Sequence, residues 1–167
     1  IENINISKVD YILIMCEKNM KLPSINTGTD ITDIIEKTIK GGSNIELKNL
    51  LRNNNYLNNR NSLNQTPLMI AIKYNNLEMI ETIVDSGANL NLYDNDGNTA
   101  LIISSKLDKE DIIKLLLDSK ADFSIKNKKG YTALEIANRF KNKSSIGALS
   151  KNSNIRKEYK FFTQYYE

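Results

Sequence analysis

Residues able to do chemistry are few here, and what is missing narrows the choice of function. The 167-residue chain contains no His and a single Cys, Cys16. Neither a Ser/His/Asp nor a Cys/His nucleophile can be assembled without an imidazole, and the commonest zinc ligand is missing with it. One Cys also rules out an internal disulfide and a thiolate metal cluster. Asp94, Asp96 and Asp108 come closest to a cation-binding set, yet Asp94-Asn95-Asp96-Gly97 lacks the downstream Glu that completes a calcium loop. Acidic tetrapeptides ending in Gly are turn formers, which is the stronger reading. Glu78/Glu81 and Glu110/Asp111 pair their carboxylates on stretches patterned as solvated helix faces. Gly41-Gly42 has neither the preceding strand nor the following Lys-Ser/Thr of a phosphate loop. No enzyme, cofactor or metal is expected.

Charge is similarly undemanding. The formal net charge of +3 is too mild to dictate a partner, although Lys126, Lys128, Lys129, Arg139, Lys141, Lys143, Lys151, Arg156, Lys157 and Lys160 crowd the C-terminal third. Clustered cations with interleaved aromatics suit nucleic acid or an anionic surface; a solvated lysine-rich surface, or one facing an acidic protein patch, is the competing and preferred reading. The heavy use of Asn, Ile and Lys is the mark of an AT-rich genome. No apolar run approaches the roughly 20 residues of a membrane span. Tyr11 to Cys16 is the most signal-like stretch, but Asp10 and Glu17 flank it too closely and Met15 is not the small residue a lipidated Cys requires. A packed helix is expected there. The chain begins at Ile1, which implies upstream sequence with room for a targeting segment, so the compartment stays open.

The elements that must position any site are set by a repeat. Thr66-Pro67-Leu68-Met69-Ile70-Ala71 recurs as Thr99-Ala100-Leu101-Ile102-Ile103-Ser104 and as Thr132-Ala133-Leu134-Glu135-Ile136-Ala137, each copy starting 33 residues after the last. The echo continues from Gly87-Ala88-Asn89-Leu90-Asn91 to Lys120-Ala121-Asp122-Phe123-Ser124, and from Asp96-Gly97-Asn98-Thr99 to Lys129-Gly130-Tyr131-Thr132. Three sets in one register mean stacked supersecondary units, each too small to bury its own apolar face.

These residues resemble the ankyrin repeats, whose pattern is a Thr-Pro-Leu-His-x-Ala helix start, a second helix rich in Leu, Ile and Val, then Gly-Ala-Asp/Asn and an Asp-x-x-Gly hairpin tip. The resemblance spans roughly residues 30–151 and is densest over 62–137. It implies an all-α, ankyrin-like solenoid of helix-turn-helix repeats joined by β-hairpin-type loops, with helical terminal caps. The family's His is absent: Met69, Ile102 and Glu135 replace it, which shifts repeat stability from hydrogen bonds toward apolar packing.

Along the chain, residues 1–29 fall outside the repeat, and Ser7 to Met20 is patterned as a capping helix with Ser7 as N-cap. A divergent first repeat covers 33–65: Ile35, Ile39, Leu47 and Leu50-Leu51 align with Leu68, Ile72, Ile80 and Ile83-Val84. Gly41-Gly42 breaks its two helices, and Asn64 replaces the hairpin Gly, a substitution positive φ tolerates. Repeat 66–98 has Thr66 as cap, Pro67 in the first turn, inward Leu68, Ala71 and Ile72, a turn at Asn75-Asn76, and Ile80, Ile83 and Val84 buried before Gly87 ends the helix. Repeat 99–131 buries Leu101, Ile102, Leu115, Leu116 and Leu117, with Lys120 in the helix-ending position. The last unit, 132–151, carries Ser145, Gly147, Ala148 and Ser150 on its second helix, small and polar enough for a cap. The tail, 152–167, holds Tyr159, Phe161, Phe162, Tyr165 and Tyr166 and is expected to pack on the last repeat.

Stacked units set equivalent residues side by side along a concave face. In ankyrin-like stacks that face comprises the hairpin tips and the exposed side of each first helix. The resemblance therefore assigns partner binding to Ser62, Leu63, Gln65, Lys73 and Tyr74; to Asn95, Asp96, Asn98, Lys106 and Leu107; and to Lys128, Lys129, Tyr131, Arg139 and Phe140. Tyr74, Tyr131, Arg139 and Phe140 are residue types that dominate interface energetics. The expected function is a monomeric, non-catalytic protein-binding module: adaptor, scaffold or inhibitor. The alternatives are a nucleic-acid or anionic-surface binder through the basic C-terminal third, and the recognition segment of a larger effector or enzyme.

Overall fold

The computed structural model describes residues 31–52 and 56–152. The expected capping helix at Ser7 to Met20 and the tail from residue 153 onward lie outside the described residues.

Helix starts follow from local chemistry. Thr66, Thr99 and Thr132 each take an extended backbone, and their hydroxyls accept from the N–H groups of Met69, Ile102 and Glu135 at 3.3–3.4 Å. This satisfies one orphan donor per helix. At Thr132 the cap is reciprocal, because the Thr132 N–H donates to Glu135 Oε2 at 2.7 Å. Pro67 occupies the first turn of its helix, as expected. The result is eight helices among the described residues: α1 Ile31–Gly41, α2 Asn44–Leu51, α3 Pro67–Lys73, α4 Leu77–Asp85, α5 Ala100–Lys106, α6 Glu110–Asp118, α7 Ala133–Phe140 and α8 Lys143–Lys151.

They stack in two layers. The first helices of the repeats, α1, α3, α5 and α7, pack in sequence; the second helices, α2, α4, α6 and α8, form a parallel row, and each pair also packs within its repeat. A single apolar core runs the length of the stack, including Ile35, Ile39, Leu47, Leu50, Leu68, Ile72, Ile80, Ile83 and Leu101, all fully buried. Ala71 and Ala137 are buried at the helix–helix contacts, where a small side chain permits close approach. Met69 and Ile102, which replace the family's His, are buried too, so apolar packing takes over at two of the three positions. Glu135 instead completes its cap.

Turns repeat with the same period as the sequence. Gly42, Asn75, Asp108 and Lys141, spaced by 33, all have positive φ at the bend between paired helices. Asn64 (φ 58°) keeps the hairpin turn without Gly, and Lys120 (φ 67°) ends α6 in the left-handed region as its position requires. Between repeats the chain makes hairpin-type loops: Asn61, Asp94 and Asn127 each donate their N–H to the carbonyl four residues on, at Gln65, Asn98 and Tyr131. Tyr93 and Thr99 form an isolated antiparallel bridge.

Two core assignments need correction. Val84 and Leu115 are only half-buried, whereas Met79, Ile112 and Ile113 are buried. In a run of adjacent apolar residues 100° apart on the helix, not every one can face inward. Ser145, one of the small residues of α8, is fully buried, and its N–H (2.8 Å) and hydroxyl (2.9 Å) both donate to Asp108 Oδ1 of the preceding repeat.

Candidate protein-binding surface

Each hairpin tip is built by one Asx side chain. Asn61 Oδ1 accepts from the N–H groups of Leu63 (3.0 Å) and Gln65 (2.9 Å). Asp94 Oδ1 does the same for Asp96 (3.0 Å) and Asn98 (2.8 Å), and Asn127 Oδ1 for Lys129 (3.0 Å) and Tyr131 (3.1 Å). Asp94 thus spends its carboxylate on its own turn. Asn61 and Asn127 were not singled out from sequence; the 33-residue spacing from Asp94 was the available signal.

The tips are then tied to one another. The Asn95 N–H donates to the Leu63 carbonyl (3.2 Å), Asn64 Nδ2 to Asn95 Oδ1 (2.7 Å), and Asn95 Nδ2 to the Ser62 carbonyl (3.5 Å). The next pair is joined by the Lys128 N–H to the Asp96 carbonyl (3.0 Å) and Asn127 Nδ2 to Asn98 Oδ1 (3.0 Å). A second seam runs behind, where Asn58 and Asn91 side chains accept from the N–H groups of Asn89 and Asp122, both at 2.9 Å. Backbone groups that a loop would leave to water are satisfied across repeats, which holds the tips in one rigid row.

Tip and first helix enclose a groove. A cleft of about 620 Å³ is lined by Asn61, Ser62, Leu63 and Gln65 of the first tip, by Ile70, Lys73 and Tyr74 of α3, and by Thr32, Asp33 and Glu36 of α1. The sequence-assigned residues of this repeat therefore do meet in one place, with α1 supplying a wall that was not foreseen. Of the fifteen assigned residues, Ser62, Leu63, Lys73, Tyr74, Asn95, Asp96, Lys106, Leu107, Lys128, Lys129, Arg139 and Phe140 are exposed. Leu63 (54%), Tyr74 (43%), Leu107 (42%) and Phe140 (53%) are the large apolar side chains among them.

Three assigned residues have other work. Gln65 is 8% exposed and its Oε1 accepts from Asn61 Nδ2 at 3.4 Å, so it braces the tip. Asn98 is half-buried between Asp94 and Asn127. Tyr131 is half-buried against the core, with its hydroxyl accepting from Arg139 Nη1 at 3.0 Å. The Arg139 guanidinium lies 4.6 Å from the Tyr131 ring centroid, and Lys106 Nζ lies 5.9 Å from that of Phe140. Such cation–π contacts orient a charge without neutralising it.

The two-row stack with capped helices and a tied row of hairpin tips defines a helical repeat solenoid. A family model described as ankyrin repeats matches three times, over residues 5–94, 34–127 and 91–159. The chain belongs to the ankyrin repeat family, whose members are generally protein–protein interaction modules and typically non-catalytic. The first match begins at residue 5, within the stretch expected from sequence to be a cap. Over 45 residues, 27% of this chain, it is 47% identical to the nuclear factor NF-kappa-B p105 subunit of Gallus gallus; the matched stretch is 5% of that relative's length. Among the described residues, no helix is long and apolar enough to cross a membrane.

Proposed function

We propose that the chain is a rigid, non-catalytic adaptor or inhibitor that binds another protein through the groove between its hairpin tips and first helices. The observation that carries this is the exposed line Leu63, Tyr74, Leu107 and Phe140 on a face whose backbone is fixed by inter-repeat hydrogen bonds. Large exposed apolar side chains on a pre-organised surface supply area without an ordering cost.

The test is affinity capture with the intact chain, using Leu107→Ala/Phe140→Ala as the control. Both side chains project into solvent, so the melting temperature should stay within a few degrees, whereas Tyr131→Ala would disturb packing as well as binding. A protein captured by the native chain and lost with the variant is the expected result. A partner retained by the variant rejects this face. Nucleic acid recovered equally with both, and released by salt, would move the reading to the basic C-terminal third.

A further inference from the structure

In the two central repeats, charge is sorted between the first and second helices. The first helices α3 and α5 each carry one cation, Lys73 and Lys106, and no carboxylate. The second helices behind them are acidic: α4 carries Glu78, Glu81 and Asp85 without a cation, and α6 carries Glu110, Asp111 and Asp118 against Lys114. In each first helix the last turn holds a base, in the column Lys40, Lys73, Lys106 and Arg139. Complementing the helix dipole would explain a base in a last turn. It does not explain why α4 and α6 have none and end on Asp85 and Asp118. In these two central repeats the sign follows the face, not the helix terminus; α2 and α8 do end with Lys48 and Lys151 in their last turns.

The next residue along makes a second column, Tyr74, Leu107 and Phe140, so each of the three later repeats offers a cation beside an exposed apolar group. Lys128 and Lys129 extend the basic side at the last tip. Among the assigned face residues, Asp96 is the one acid against Lys73, Lys106, Lys128, Lys129 and Arg139, a net +4 in a chain of net +3. Asp33 and Glu36 place negative charge only at the α1 end of the groove. None of Lys73, Lys106 and Arg139 is paired with a carboxylate among the described residues; the ion pair formed there is Lys114 with Glu110, on the other row.

From this, and resting on the proposed concave-face reading, we infer that the partner presents an extended acidic segment in which carboxylates alternate with apolar side chains. Neighbouring first helices lie roughly 8–10 Å apart, and an extended chain in the polyproline II conformation rises about 3.1 Å per residue with three residues per turn, which puts every third side chain on one face. A carboxylate–apolar pair every third residue therefore meets one cation–apolar pair per repeat. Lys106 and Arg139 are already oriented by Phe140 and Tyr131, which lowers the ordering cost of pairing.

The probes are labelled peptides of repeated Ser-Glu-Leu, Ser-Lys-Leu and Ser-Glu-Ser triplets, titrated against the intact chain and against Lys73→Glu/Lys106→Glu/Arg139→Glu. The native chain should bind the Ser-Glu-Leu peptide at least tenfold more tightly than either other peptide, and weaken as salt is raised. The reversed variant should lose that peptide by tenfold or more and gain the Ser-Lys-Leu one. Retained helical circular dichroism in the variant assigns the loss to charge. Equal binding of Ser-Glu-Leu and Ser-Lys-Leu, or full competition by a single-stranded oligonucleotide, overturns the acidic segment. If the reversed variant still captures a protein that Leu107→Ala/Phe140→Ala loses, the acidic chemistry is wrong and the concave face stands. If neither variant loses it, both readings fall.

Discussion

Gly97 is demanded by two separate facts. Its φ is 79°, and a Cβ placed there would lie 2.7 Å from the Lys128 backbone nitrogen, the atom that donates to the Asp96 carbonyl. Gly130 is its equivalent one repeat later, with φ 81° but open space around it. Gly130→Ala should therefore cost only the left-handed backbone term, about 1 kcal/mol, while Gly97→Ala should cost roughly 2–4 kcal/mol by also breaking the tie between tips. Chemical denaturation of the two variants reads the difference; equal costs would mean the tips are not tied. Asp108 is a second residue whose work crosses repeats. Hydrogen bonds from the Ser145 backbone and hydroxyl hold its carboxyl below the ordinary value of 3.8. A carboxylate with a depressed folded pKa stabilises above its unfolded pKa, and that contribution is lost as pH falls through the folded one. The clamp on α8 is thus complete at neutral pH and weakens below about pH 4. Asp108→Asn keeps an acceptor and tolerates the positive φ of 54°. It should lower amide protection in α8 at pH 7 and flatten its acid dependence there, measured by hydrogen exchange at pH 7 and pH 3.

At the level of elements, the helix starts are uneven. Ser43 and Asn76 cap α2 and α4 through their side chains, whereas Lys109 opens α6 with a similar backbone (φ −98°, ψ 82°) and no side-chain cap. Lys109→Asn should add about 1 kcal/mol by satisfying a first-turn N–H, seen as a higher denaturant midpoint at unchanged slope. No gain would show that water already serves that group well. The same unevenness explains what sequence could reveal. Thr66, Pro67, Asn64 and Asp94 to Gly97 were legible because each does its work within a few residues of itself. Lys141 and Asp108 gave no local sign of a left-handed conformation; only their spacing from Gly42 betrays it. Val84 and Leu115 looked like core because periodicity marks a stripe, while the neighbouring helix decides which edge of the stripe is covered. On the assigned face, Lys73, Leu107 and Phe140 are exposed where the register puts them. Gln65, Asn98 and Tyr131 are less exposed than the register suggests because hydrogen bonds to Asn61, Asp94, Asn127 and Arg139 occupy them, and such partners are invisible along a single chain. The charge division between the paired helices of the two central repeats was present in the sequence all along, but becomes readable only once the rows exist.

For the whole molecule, the consequence of stacking is that damage spreads by position. Each repeat is stabilised by its own pair of helices and by its neighbours, so stability is close to a sum of unit and interface terms. Leu101 on α5 and Leu149 on α8 are both fully buried, yet they belong to different places in that sum. An Asp at either site buries an uncompensated charge, costing on the order of 3–5 kcal/mol locally, a large part of the 5–15 kcal/mol typical of a domain. At Leu101 the penalty falls on an internal unit, and α5 is packed against α3 on one side and α7 on the other. Leu101→Asp should therefore remove amide protection from the whole array. Leu149→Asp strikes the last of the described units, whose loss leaves earlier interfaces intact, so protection should vanish from α7 and α8 while α1 to α4 keep theirs. Hydrogen exchange resolved by segment distinguishes the two. Protection surviving in both α3 and α7 of Leu101→Asp would mean that the repeats fold independently. The tied tips would then be ornaments on separate units rather than one rigid binding face.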